Sequence, residues 1–150
     1  MTFFENVLGL KVLRHEEFDE GCEATCNGPY GGAWSKTMIG YGPEEEGFAL
    51  ELTYNYGIDG YKNGDDLQYI SLQLDRDSKA KAYARYSCAA AGGGGVIISG
   101  PDGYKYKAVP PIEGRKERFV SVGLKVSDLP TSSAYWCDLL GMSRFSEPAP

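Results

Sequence analysis

The sequence predicts an α+β fold of short strands with two helices, and three patterns carry that reading. Apolar and polar residues alternate through short runs that are separated by Gly, Pro, Asn and Asp. Two stretches of helix-compatible residues follow Asp or Ser, which cap helix starts, and each ends at glycine. The chain also echoes itself. The Leu-Gly-Leu of NVLGLKVL (6–13) returns as the Leu-Gly-Met of DLLGMSRF (138–145), each marking a helix end that passes into a strand. The chain therefore reads as starting inside one repeat and stopping inside another.

LKVLRH (10–15) reads as the first strand. AWSKTMIGYG (33–42) and FALELTYNY (48–56) follow, joined by the turn GPEEEG. In the latter, period-two alternation puts Leu50, Leu52 and Tyr54 on one face and Ala49, Glu51 and Thr53 on the other. Glu51 is ordinary if its face is solvated and costly if that face lines a cavity. LQYISLQLD (67–75) is a further strand after the NGDD turn. Asp77 or Ser78 is expected to cap a helix over SKAKAYARYSCAAA (78–91) that GGGG (92–95) terminates. VIIS and YKYKAV, on either side of GPDG, form a hairpin. PPIEGRKE (110–117) is a polar, proline-rich linker. It separates a domain over 1–109 from a truncated second one over 118–150, in which 118–126 is a strand and 127–141 a helix with a glycine stop.

A chain of 150 residues, 42% of them hydrophobic, is long enough for one real core. The net charge of -6 argues against a nucleic-acid or anionic-membrane partner, since both require clustered Lys and Arg. HEEFDEG (15–21) and PEEEG (43–47) hold much of the acid and read as solvated turns. No apolar run approaches the ~20 residues that span a bilayer, and MTFFENVLGL does not read as a secretory leader. Cys22, Cys26, Cys88 and Cys137 are then expected as free thiols in an intracellular protein, cytoplasmic or mitochondrial. Cys22 and Cys26 have too few companions for a zinc site, because His15 is the sole histidine. GGGG lacks the Lys-Ser/Thr of a phosphate loop and precedes a strand, so it reads as a turn.

ENVLGLKVLRH (5–15), GYGPEEEGFALELTYNYG (40–57) and GPDGYKYKAV (100–109) resemble glyoxalase I and the wider vicinal oxygen chelate superfamily, and VSDLPTSSAYWCDLLGM (126–142) resembles the opening of a second half. The resemblance implies paired βαβββ modules cupped around a metal, with the first module lacking its first strand and most of its helix. In that family four strands each supply one metal ligand. Carried over, the positions fall on Glu51, on Tyr69, on Lys107 (where the family has its catalytic carboxylate) and, in the later repeat, on Ser121. The strand supplying the remaining ligand would lie upstream of Met1. Asn55 matches a position that helps hold glutathione in glyoxalase I, and it equally suits a strand-end turn.

These residue types argue against metal catalysis. A dication needs converging neutral nitrogen or anionic oxygen donors. A lysine ammonium has no lone pair, and a phenol titrates near ~10. Neither a metal-activated centre nor a base at position 107 is available, so no catalytic residue is assigned and no cofactor is expected. The expectation is a non-catalytic fold relative that binds a small metabolite or a protein partner, with Glu51, Asn55, Tyr69 and Lys107 as candidate contacts. The alternative is a lyase or isomerase with Zn or Ni that completes its site across a dimer. Glu51 and Lys107 are expected either to pair in place of the metal or both to face water. Tyr30, Trp34, Tyr41, Tyr54, Tyr56 and Tyr61 either line a cup or pack. Residues 118–141 are expected to fill the vacancy beside 48–56, within one chain or by exchange in a homodimer, or else to hang loosely.

Overall fold

The computed structural model describes residues 2–144. Helix α1 (Thr2–Asn6) leads into strands β1 (Lys11–Phe18), β2 (Trp34–Gly40) and β3 (Ala49–Asn55). These form an antiparallel three-stranded sheet in the order β1-β2-β3. Strand β4 (Leu67–Gln73), helix α2 (Arg76–Arg85), β5 (Cys88–Ala91), β6 (Gly95–Ser99) and β7 (Lys105–Val109) follow, then β8 (Phe119–Leu124) and α3 (Leu129–Ala134). Among the described residues, the second sheet has five strands in the order β5-β6-β7-β4-β8, and only the β4–β7 pair is parallel. One complete βαβββ module therefore runs from β4 to β7. Three strands and a helix end precede it, and a strand and helix follow it.

The core lies where both sheets meet α1. Five residues are too few to hold a helix in water, so α1 is stabilised by what it buries. Phe3, Phe4, Val7 and Leu8 join Ile39 of β2, Leu72 of β4, Ile98 of β6, Tyr106 and Ala108 of β7, and Phe119 of β8 in one cluster. Leu50, Leu52 and Ile70 pack against its rim. The Tyr106 hydroxyl donates to Asp102 at 2.6 Å, and burial raises its pKa well above the ordinary phenol value. Gly9 and Gly141, the two glycines of the internal echo, share the same left-handed backbone at φ 73°. A residue with a Cβ resists that conformation, and it lets each helix end turn away from its axis. The continuation of the second copy into 145 and beyond lies outside the described residues.

Several local expectations are corrected. The helix expected to 91 stops at Arg85, and 88–91 is a strand instead. Alanine tolerates both states, and pairing of Cys88–Ala91 with Ile98–Gly95 decides between them. The cap is Asp75, not Asp77 or Ser78: its carboxylate accepts from the Ser78 N–H at 2.7 Å. The first strand runs on through HEEF, so Glu16 and Glu17 are strand residues rather than a solvated turn. Cys22 and Cys26 are joined in a disulfide and are not free thiols, whereas Cys88 and Cys137 are free. Residues 118–141 do not fill the edge beside β3. β8 pairs antiparallel with β4, Leu67 opposite Leu124 and Ser71 opposite Ser121, because the two alternating runs match in register. Among the described residues, no helix is long and apolar enough to cross a membrane.

The hydrogen bond from Ser78 holds the Asp75 carboxyl below its ordinary pKa. A carboxyl depressed in the folded state adds stability above its unfolded pKa and loses it as pH falls through the folded value. Asparagine caps about as well as aspartate but does not titrate. The Asp75→Asn variant should therefore match the parent near neutral pH and lose less melting temperature between about pH 6 and about pH 3. Circular dichroism melts at the two pH values check this.

Candidate functional site

Period-two alternation along β4 sends Ile70 and Leu72 into the core and leaves Tyr69, Ser71 and Gln73 on the opposite face. Register then fixes the neighbours. Ser71 stands opposite Lys107 of β7 on one side and Ser121 of β8 on the other, and Tyr69 stands opposite Gly123. Adjacent strands lie ~4.8 Å apart, so Tyr69, Lys107 and Ser121 come together on one sheet face around Ser71. A register shift between Ser71 and Leu72, where β8 carries Val120 as an extra residue, keeps Ser121 on that face while Phe119 turns into the core.

The Tyr69 ring lies across Gly123. A Cβ there would stand 2.7 Å from the ring's Cζ, so the bare backbone is what makes room for the phenol. The Lys107 ammonium sits 5.5 Å from the centre of the same ring, within cation–π range. Ser71 is 1% exposed, and its Oγ meets no hydrogen-bond partner among the described residues. A buried hydroxyl left in that state costs about 1–3 kcal/mol.

Glu51 lies elsewhere. It is exposed on β3, in the other sheet, opposite Met38, which in turn pairs with Arg14 of β1. Its row of the sheet is a charged surface where Arg14 bonds Glu16 and Glu44, and Lys36 reaches Glu16. The Arg14 pKa is raised, chiefly by the Glu44 hydrogen bond and to a lesser degree by Glu51. None of the ion pairs within 4.0 Å among the described residues joins Glu51 to Lys107. The two positions belong to different sheets.

Asn55 is 3% exposed, and every polar atom of its side chain is engaged. Its Oδ1 accepts from Asn27 Nδ2 at 2.8 Å, and its Nδ2 donates to the Asn27 carbonyl and the Tyr61 hydroxyl. Asn27 also accepts from the Cys22 N–H and donates to the Tyr30 carbonyl. The two amides tie the loop over 19–33 to the end of β3. The aromatic set mostly packs or braces. Trp34 is buried and stacked on Phe18. Tyr41 donates to the Leu8 carbonyl under the Arg118 guanidinium, and burial raises its pKa to about 12. His15 bridges Thr37 and Glu17, each at 2.8 Å.

The donor set around Ser71 does not suit a dication. It comprises a cation, a phenol and two hydroxyls, and among the described residues no three His, Cys, Asp or Glu side chains converge anywhere. Ser71, Gly123 and Asn27 were not singled out from sequence. Ser71 was within reach, because it shares the Tyr69 face by simple alternation.

No family model matches the chain. A glyoxalase 1 from Caenorhabditis elegans is 47% identical over 147 residues, 98% of this chain and 51% of that protein. Glyoxalase domain-containing protein 4 from Mus musculus is 44% identical over 145 residues, 97% and 49% respectively. The chain thus spans about half the length of these relatives. A lactoylglutathione lyase from Salmonella typhimurium is 34% identical over 119 residues, 73% of this chain and 80% of that protein. Among solved structures, a V278E mutant of glyoxalase I from Zea mays superposes with a TM-score of 0.73 at 28% identity, covering 95% of this chain and 50% of that one. With the βαβββ module and the flanking module pieces in place, the chain belongs to the glyoxalase I family of the vicinal oxygen chelate superfamily.

Proposed function

We propose that this chain is a binding member of the glyoxalase family without lyase activity, taking a small metabolite or a protein partner on the sheet face that carries Tyr69 and Lys107. One observation carries the reading: Lys107 and Ser121 flank Ser71 on its two sides, with the Tyr69 ring near Lys107, and that group of side chains offers hydrogen-bond donors and a cation rather than a set of metal ligands. Without converging ligands, bound water is not acidified and a carbonyl is not polarised. With an ammonium at 107, no carboxylate there takes up a proton.

The names of the relatives favour a second reading, a lactoylglutathione lyase that holds a divalent ion such as Zn or Ni through Glu51 and completes its site with a second copy. The two readings part on purified protein. The binding reading expects substoichiometric metal by elemental analysis and no lactoylglutathione formation above the uncatalysed rate, with or without added zinc or nickel. About one tightly held divalent ion per chain together with turnover would replace it with the lyase.

A further inference from the structure

Asparagine is among the thermolabile residues, and it is most exposed to that chemistry when glycine follows it. The backbone nitrogen of the next residue gives up its proton to water or hydroxide and attacks the asparagine Cγ. A nitrogen–carbon bond forms, ammonia leaves, and a cyclic succinimide remains. Water then opens one of its carbonyls, giving aspartate or isoaspartate. No electrons change hands: an amide and water become a carboxylic acid and ammonia. Asn-Gly occurs at two places in this chain, Asn27-Gly28 and Asn63-Gly64. We infer that Asn63 is a self-modification site, converted by this reaction in the folded chain, and that the fold holds Asn27 out of it.

The two pairs share a sequence and differ in every physical condition that the reaction needs. Asn63 and Gly64 lie in the exposed, irregular segment between β3 and β4. Among the described residues no hydrogen bond holds the Gly64 N–H, and the Asn63 side chain is tied only through Nδ2, which donates to the Asp102 carbonyl at 3.2 Å. Gly64 carries no Cβ to crowd the approach of its nitrogen. Asn27, by contrast, is 3% exposed. Its Oδ1 accepts from the Cys22 N–H, and its Nδ2 donates to the Tyr30 carbonyl and to Asn55 Oδ1. The attacking nitrogen is engaged as well, since the Gly28 N–H donates to the Thr25 carbonyl at 2.9 Å. Turning the Asn27 Cγ toward that nitrogen would strand several buried polar groups.

The product has a structural effect. A carboxylate at position 63 has no N–H to donate to the Asp102 carbonyl, and it adds negative charge beside Asp65 and Asp66. The conversion thus unties the segment leading into β4 from the turn between β6 and β7. The isoaspartyl form is a substrate for the class of methyltransferase that esterifies isoaspartyl carboxylates, so the mark is one that an enzyme can read.

The test incubates the purified chain in mildly alkaline buffer made with heavy-oxygen water and maps the label by peptide mass spectrometry, with the urea-unfolded chain in parallel. Heavy oxygen should enter at position 63 many-fold faster than at 27 in the folded chain, and at comparable rates at both in urea. Gly64→Ala should slow entry at 63 several-fold at an unchanged melting temperature, because the Gly64 backbone lies outside the left-handed region and accepts a Cβ. Equal rates at 63 and 27 in the folded chain would overturn the inference. So would an amide at 63 that survives folding conditions and is lost only in urea, since the Asp102 tether would then be protection enough. Asn63→Asp stands in for the converted chain and should speed hydrogen exchange across 100–104; exchange there at the parent's rate would overturn the untying.

Discussion

Phe3→Ala should cost about 3–5 kcal/mol of folding free energy, the range for emptying a buried aromatic site. Phe3 is 2% exposed and touches Phe4, Tyr86 and Tyr106, with ring centres 5.3, 4.8 and 5.2 Å away. The ring lies between a five-residue helix with no independent stability and a sheet that needs a cover. Its removal leaves a cavity and also weakens the docking of Phe4, Val7 and Leu8, all in the same cluster. Domain stabilities are only ~5–15 kcal/mol, so the variant should show a much lower urea midpoint. Its m-value should stay near the parent's if α1 remains docked, and should fall if α1 detaches in the native state. A loss below ~1 kcal/mol would show that α1 contributes little to the core.

Asn55→Ala should cost about 2–3 kcal/mol through a different mechanism. Alanine leaves Asn27 Nδ2 short of its acceptor at Asn55 and the Asn27 carbonyl short of its donor, both at a buried position. The damage should spread along the loop, because Asn27 also receives the Cys22 N–H. Hydrogen exchange at Cys22 should therefore speed up in Asn55→Ala, although residue 55 does not touch that amide. Asn27→Ala should do similar harm, and the double variant should cost well less than the sum of the two, since either change alone breaks the shared pair. Additive losses would show that the two amides act separately.

Much of the fold was legible because it is local. Alternation through AWSKTMIGYG and FALELTYNY, with an acidic turn between them, fixed both strands and put Leu50 and Leu52 on the core side. What escaped was decided by distant partners. The CAAA run has no strand preference of its own, and pairing with residues 95–98 makes it one. Nothing within 118–126 says that it joins the sheet of β4, because that choice depends on matching two runs about fifty residues apart. The candidate site was legible as residue types carried over from a family pattern, which is why Tyr69, Lys107 and Ser121 were named. Pattern alone also grouped Glu51 with Lys107, whereas sheet membership, a property of the assembled chain, separates them. The Cys22–Cys26 pairing escapes a rule based on compartment, which predicts free thiols; it follows from the tight loop that brings the two together.

Gln73, at the end of β4, is almost fully buried, and its amide grips the proline-rich crossing at two points. Its Oε1 accepts from the Ile112 N–H, and its Nε2 donates to the Glu117 carbonyl at 2.9 Å, while the Arg118 guanidinium reaches the Gln73 carbonyl. A stretch whose composition suggests a swivel is in fact riveted down. The strands it connects, β7 and β8, flank β4 on either side like planks nailed to one beam, so tilting either of them would drag the serine between them out of line.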